Sequence, residues 1–305
     1  MTASQPSGSR PDPGPSQGAP SATILCADDY AMTEGISRAI GELAAAQRLS
    51  ATSVMVTSPH WPATAPRLAV HRGHLSIGLH LNLTLGRPLG PMPRLAASGT
   101  LPSLNRLMAW ASLPPLVRTE IRDEIERQLD RFETGLRFPP DHVDGHQHVH
   151  VLPAVRGALL DALVRRYGGR PPLVRDPTDR LSASSARSPA RAKAIFVGLL
   201  ATGFARAAGR RGLPLNDTFA GFSDFRASSS YADELSAALR EPGRRHLVMC
   251  HPGHPDAELA RLDPVVARRR MEYDALMRDV SLPSLIWRPS RKADGPTLAW
   301  PRLQD

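Results

Sequence analysis

The stretch DHVDGHQHVH, residues 141–150, gathers four of the chain's 11 histidines with Asp141 and Asp144 around a single glycine. Imidazole nitrogens and carboxylate oxygens are the ligands of divalent metal ions, so this density raises the question of a metal site. Three further runs raise the same chemistry: TILCADD ends in Asp28 and Asp29, GLHLNLT carries His80 and Asn82, and MCHPGHP carries His251 and His254. Adjacent carboxylates repel and force one pKa upward unless a cation neutralises them. One aspartate on a metal and the other as general base meets that condition; a helix N-cap accounts for only one of the two. His80, flanked by apolar residues, reads either as a core histidine or as a ligand. His251, in a Pro-Gly turn, reads either as a polar turn residue or as a general acid near a metal-bound water.

Geometry limits the histidine run. If 142–150 is extended, His142, Asp144, His146, His148 and His150 share one face, each about 6.6–7 Å from the next. One ion takes nitrogens at about 2 Å. An unbroken strand therefore gives the ion at most one of these histidines, or two if the chain turns at Gly145. The others must hydrogen-bond, orient ligands or meet substrate.

The elements that must position these groups alternate. TILCADD reads as a strand, and TEGISRAIGELAAAQ as a helix behind a Thr cap. ATSVMVTS, LSIGLHLNLT, the histidine run, PLVRDP, FAGFSDF and RRHLVMCHPG read as further strands. Helices are expected in WPATAPRLAVH, in PLVRTEIRDEIERQLDRFETG with Leu116 to Phe132 on one face, in LPAVRGALLDALVRRYG, over 189–208, in YADELSAALRE and in DPVVARRRMEYDALMRD. This βα alternation predicts an α/β fold of parallel strands wrapped by helices, a barrel or a doubly wound sheet, with the length favouring the barrel. In such folds the carboxyl ends of the strands converge on one face, so the four polar strand ends are expected at one site. The Pro- and Gly-rich segment 86–114 reads as a lid or substrate loop. The region 178–228 receives no firm assignment.

Composition bounds the rest. Residues 1–21 are rich in Pro, Ser and Gly without the apolar run of a signal peptide, and read as a disordered tail. A single domain is expected over 22–290, with a C-terminal extension at 291–305. No apolar run is long enough for a membrane span. Two cysteines, Cys26 and Cys250, favour a cytoplasmic protein without a disulfide framework. The formal charge of +9 comes largely from arginine pairs and one triplet. It fits an anionic partner or a solvated surface; because the charges are dispersed and lack interleaved aromatics, no nucleic-acid partner is expected.

Five ordered motifs carry a family resemblance: ILCADDYAMTEGISRAI, TSVMVTSPHWP, IGLHLNLTLGRPL, HVDGHQHVHVLPAV and LVMCHPGHPD. Over about residues 23–280 the chain resembles the YdjC-like carbohydrate deacetylases, and HVDGHQHVH is also similar to the subgroup associated with hopanoid biosynthesis. The resemblance implies a TIM-like barrel and a divalent ion, Mg²⁺ or Zn²⁺, that helps remove acetyl groups from N-acetylated sugars. It implies Asp28 as base, His251 as acid, and Asp29, His80 and His146 as metal ligands. Asp144, Arg175 and His148 would support the ligands or touch substrate. An acetylated amino sugar would be the substrate, with a lipid-linked sugar or an ester as the alternative, and a homodimer is allowed for. The family commonly reads Asp-Asp-Phe-Gly where this chain has Asp28-Asp29-Tyr30-Ala31, so a turn that glycine favours must here be made by alanine.

Overall fold

In the computed structural model, residues 22–109, 115–180, 187, 190–226 and 228–289 are described. The tail expected at 1–21 and the extension at 291–305 lie outside them. Seven strands form one sheet: β1 (Ala22–Tyr30), β2 (Ala51–Val54), β3 (Ser76–Leu81), β4 (His142–Gly145), β5 (Leu173–Val174), β6 (Thr218–Ala220) and β7 (Arg245–Cys250). Their order is β5-β4-β3-β2-β1-β7-β6, and the pairings are parallel. The sheet curls until its edges meet. The Val174 N–H donates to the Pro214 carbonyl at 2.8 Å, and Val174 bridges Leu215 in parallel just ahead of β6. Among the described residues the result is a TIM-like barrel of seven strands, against eight in the standard form.

Alternation along the strands separates two apolar layers. Ile24, Cys26, Phe219, Leu247 and Met249 cluster on one side of the strands. Leu25, Ala27, Val248 and Cys250 join the larger cluster with helix residues such as Ile36, Ile40 and Leu276. Asp28 and His251 share the parity of the first, interior set. The interior is tight enough to demand glycine at Gly78, where a Cβ would stand 2.4 Å from the His142 ring.

The first helix, Glu34–Ala45, starts where the sequence predicts, with the Thr33 hydroxyl accepting from the Ile36 N–H at 3.3 Å. Helix Pro115–Leu136 buries Val117, Ile121, Ile125, Leu129 and Phe132, but Leu116 is exposed. The helix expected over 189–208 is two, Arg191–Leu200 and Phe204–Gly209, broken where Gly203 adopts φ 78°. The described part of the 86–114 segment packs closely on the fold, and its Leu104 reaches the cavity at the carboxyl end of the strands. Its backbone N–H groups at Leu89 and Leu95 donate to Glu124 and Glu120, and Met92, Leu95 and Leu101 are buried against the fold.

Candidate active site

Asp28 and Asp29 both reach the carboxyl end of the barrel because β1 carries a bulge. Cys26 to Ala27 pair with Ala51 to Thr52, the register then shifts, and Tyr30 pairs with Val54. Asp29 takes up the extra residue at φ 69°. A bulge turns a side chain out of the strict alternation, so neighbouring carboxylates can serve one centre. Ala31 follows at φ 73°, so the alanine makes the turn that glycine would favour, at a cost of about 1 kcal/mol.

The histidine run is extended only over His142–Gly145. It then winds into a tight turn over His146–Val151, with Gln147 at φ 52° and His148 at φ 59°. The five residues that an extended chain would align are thus dispersed. His142 points beneath the site, 3.0 Å from the Ser76 hydroxyl. His150 is buried and bonds the Arg175 carbonyl at 2.9 Å. His148 lines the cavity and packs on Phe219 and Phe222. Of the run's four histidines, His146 alone joins Asp29 and His80.

Those three form a buried donor set. His146 Nδ1 lies 3.0 Å and His80 Nε2 3.2 Å from Asp29 Oδ1, and the three donor atoms lie within 4.8 Å of one another. His80 is opposite Asp144 in the β3–β4 register, and its Nδ1 is 2.7 Å from Asp144 Oδ1. A carboxylate on Nδ1 fixes the ring's orientation and aims Nε2 at the donor set, where a bound cation would displace its proton.

Asp28 is held differently. Arg175 donates to both of its oxygens at 2.6 Å, and the Ser53 hydroxyl donates to Oδ1 at 3.1 Å. The same guanidinium is 2.5 Å from Asp144 Oδ2. Burial pushes the Asp28 carboxyl up, but Arg175 outweighs it and holds the group well below the usual carboxylate range. Arg175 is 0% exposed and lies behind Asp28 rather than in the cavity wall.

Sequence reasoning did not identify Arg269. It belongs to the triplet 268–270, yet Arg268 and Arg269 are both buried. Arg269 Nη2 is shared, 2.7 Å from Asp29 Oδ2 and 2.7 Å from Asp263 Oδ2. The nearest signal was the placement of the triplet in a helix, where three consecutive residues span more than half a turn and so cannot all face outward. His254 bonds Glu42 at 2.9 Å and meets Tyr273 edge-on, and Asn82 organises a turn through Thr84 and Leu85; both are held by structural contacts.

The donor chemistry fits a divalent cation. Three buried carboxylates, Asp28, Asp29 and Asp144, face two guanidinium groups, one of them shared with Asp263. The deficit falls on His80. Burial opposes charge on its ring, but Asp144, Asp29 and Asp28 push it up to about 10. A histidine made to supply the missing positive charge marks a site whose balance a bound cation would complete.

Above the donor set lies a cavity of about 470 Å³. Asp28, Asp29, His80 and His146 form its polar part; Leu85, Phe196, Val197, Phe225 and Val265 supply apolar wall, with Lys193 and Arg269 beside them. His251 enters one residue beyond Cys250, which pairs with Ala27. Its backbone N–H donates to Glu272 at 2.6 Å and its ring meets Phe225 edge-on. Burial, followed by the fields of Arg269 and Lys193, pushes the imidazole down to about 4 despite Asp28 and Asp29.

A family model described as YdjC-like protein matches residues 22–282. The chain belongs to the YdjC-like family. It is 33% identical over 246 residues to the carbohydrate deacetylase of Mus musculus, covering 76% of this chain and 78% of the relative. The carbohydrate deacetylase of Geobacillus stearothermophilus is 28% identical, covering 85% and 90%. The chitooligosaccharide deacetylase of Proteus mirabilis is 36% identical over a shorter span, 42% of this chain and 49% of the relative. Among solved structures, a putative cellobiose-phosphate cleavage protein of Enterococcus faecalis superposes with TM-score 0.67 at 20% identity, covering 88% and 94%, which establishes the shared fold. Among the described residues no helix is long and apolar enough to cross a membrane.

Proposed function

We propose that this YdjC-like protein is a metal-dependent N-deacetylase of acetamido sugars. The observation that carries this reading is the Asp29, His80 and His146 donor set lying beside an ionised Asp28 in one cavity. Two imidazoles and one carboxylate suit zinc or a similar transition ion better than magnesium, which prefers oxygen ligands. Such an ion, when bound, polarises an acyl carbonyl and acidifies water, so a weak base suffices.

The chain's own groups do the rest. Asp144 accepts the His80 Nδ1 proton and keeps Nε2 available. Asp28, kept anionic by Arg175, accepts a proton from the water that attacks the acetyl carbon. His251, whose partly buried ring is neutral at rest, takes over the proton that Asp28 removes from the water and hands it to the nitrogen as the C–N bond breaks. Phe225 and Phe196 offer flat apolar surface to the sugar and help exclude water. Acetate and a free amino sugar leave. The two free, buried cysteines fit a reducing, cytoplasmic setting.

The test is an acetate-release assay over N-acetylated chito-oligosaccharides, with O-acetyl esters as controls. Release from the amides should stop on chelation and return with Zn²⁺ or Mn²⁺. Release that is indifferent to chelation, or confined to esters, contradicts the reading.

A further inference from the structure

Between Arg180 and Asn216 the chain contains seven Arg and Lys residues and no Asp or Glu. Helix Arg191–Leu200 lies within this stretch and turns Ala194 and Val197 inward. Its outward face is apolar: Ile195 is 54%, Phe196 46% and Leu199 69% exposed. Such a cluster on one helix differs from the scattered apolar residues of an ordinary surface.

Position adds a second observation. Phe196 and the half-exposed Leu262 line the cavity described above, so the apolar face adjoins its rim. Arg191 opens the helix, Arg261 precedes Leu262, and Arg206 and Arg210 follow in the next helix and its C-cap; all four are exposed. Two neighbouring acids are matched, Asp179 by Arg187 at 2.7 Å and Asp161 by Arg211 at 2.8 Å. The surface beside the cavity is therefore apolar at its centre and cationic around it.

We infer that helix Arg191–Leu200 docks on an anionic lipid bilayer and sets the cavity rim at the membrane interface. An interfacial helix needs an apolar face to enter the boundary between headgroups and acyl chains, and cationic neighbours to meet anionic headgroups. This surface has both. A second copy of the chain fits less well, because a twofold contact would set the cationic rim against itself. Nucleic acid would use the arginines but has no use for Ile195 and Leu199. The identity of the sugar plays no part in this inference.

The experiment is co-sedimentation of the full chain with extruded vesicles in 0.1 M salt. One set contains phosphatidylglycerol and phosphatidylcholine, the other phosphatidylcholine alone. The protein should pellet with the anionic vesicles, and Ile195→Glu/Leu199→Glu should weaken that binding by tenfold or more, with circular dichroism and melting temperature unchanged. Arg206→Gln/Arg210→Gln should weaken it less and reduce its salt dependence. The inference is overturned if the protein pellets with neither vesicle, if the apolar double variant binds as the parent does, or if that variant instead dissolves a dimer seen by gel filtration. Binding to a DNA duplex that matches vesicle binding and survives the apolar double variant would reassign the surface to nucleic acid.

Discussion

The strands β1 to β4 bring Asp28 and His80 to the cavity floor with Ser53 and Asp144 beneath them, each tied to another by a bond of 3.1 Å or less. Helix Arg191–Leu200 and the segment from Leu262 to Arg269 form the facing wall with Phe196, Val197, Leu262 and Val265, and only Lys193, Asp263 and Arg269 carry charge there. The first wall is a buried charge network that must be complete to be tolerated. The second is apolar apart from those three charged residues, and its apolar residues can vary without leaving a charge stranded. Burying ions is costly unless each is paired, whereas apolar contact is graded and local. Chemistry is thus fixed by the strands, and what enters is shaped by the helices.

The largest break in this contrast is Arg175→Leu. It leaves Asp28 and Asp144 buried without their shared cation and should cost about 3–5 kcal/mol in urea unfolding. Ile195→Ala, on the outward face of the helix that forms the other wall, should change stability by no more than about 0.5 kcal/mol.

Acid tests the strand side as a whole. Burial is the main cause that pushes His142, His150 and His246 down to about 4 each. Their folded pKa values lie below the value of roughly 6.5 for the unfolded chain, so the stability they supply is fully present above that pH and is lost as pH falls toward 4. Each can cost up to roughly 3 kcal/mol over that window. Denaturant midpoints at pH 7, 5.5 and 4.5 should fall in that order; a flat series would mean that these rings are not held neutral.

A smaller and sharper effect is expected from Asp144→Asn. The variant keeps the shape but weakens the hold on His80 Nδ1, and ion affinity should drop about 10–100-fold by equilibrium dialysis.

Much of the strand wall was legible in the sequence because each of its motifs ends an apolar run, and parallel strands carry their C-terminal residues to one face. Asp29, His80 and His146 were separable from the other histidines by ligand distance together with family resemblance. The turn at His146–Val151 was not legible, because HQHVHV has the alternation of a strand and only Gln147 and His148 in left-handed geometry break it. The bulge at Asp29 was equally hidden, since no glycine announces its positive φ. Arg269 was masked by two flanking arginines, and its partner Asp29 lies 240 residues away. The helix at 191–200 falls inside the one expected over 189–208, whereas the break at Gly203 was hidden, because a single glycine's positive φ leaves no mark on the helical period.

The most direct measurement pairs metal content with acetate release in Asp28→Asn. In the proposed mechanism Asp28 is the base, while Asp29, His80 and His146 form the donor set. The variant should bind about as much metal per chain as the parent while releasing acetate from N-acetylated sugars about 10²–10⁴-fold more slowly. Full activity in the metal-loaded variant, or a parent protein that binds no divalent ion, would contradict the account.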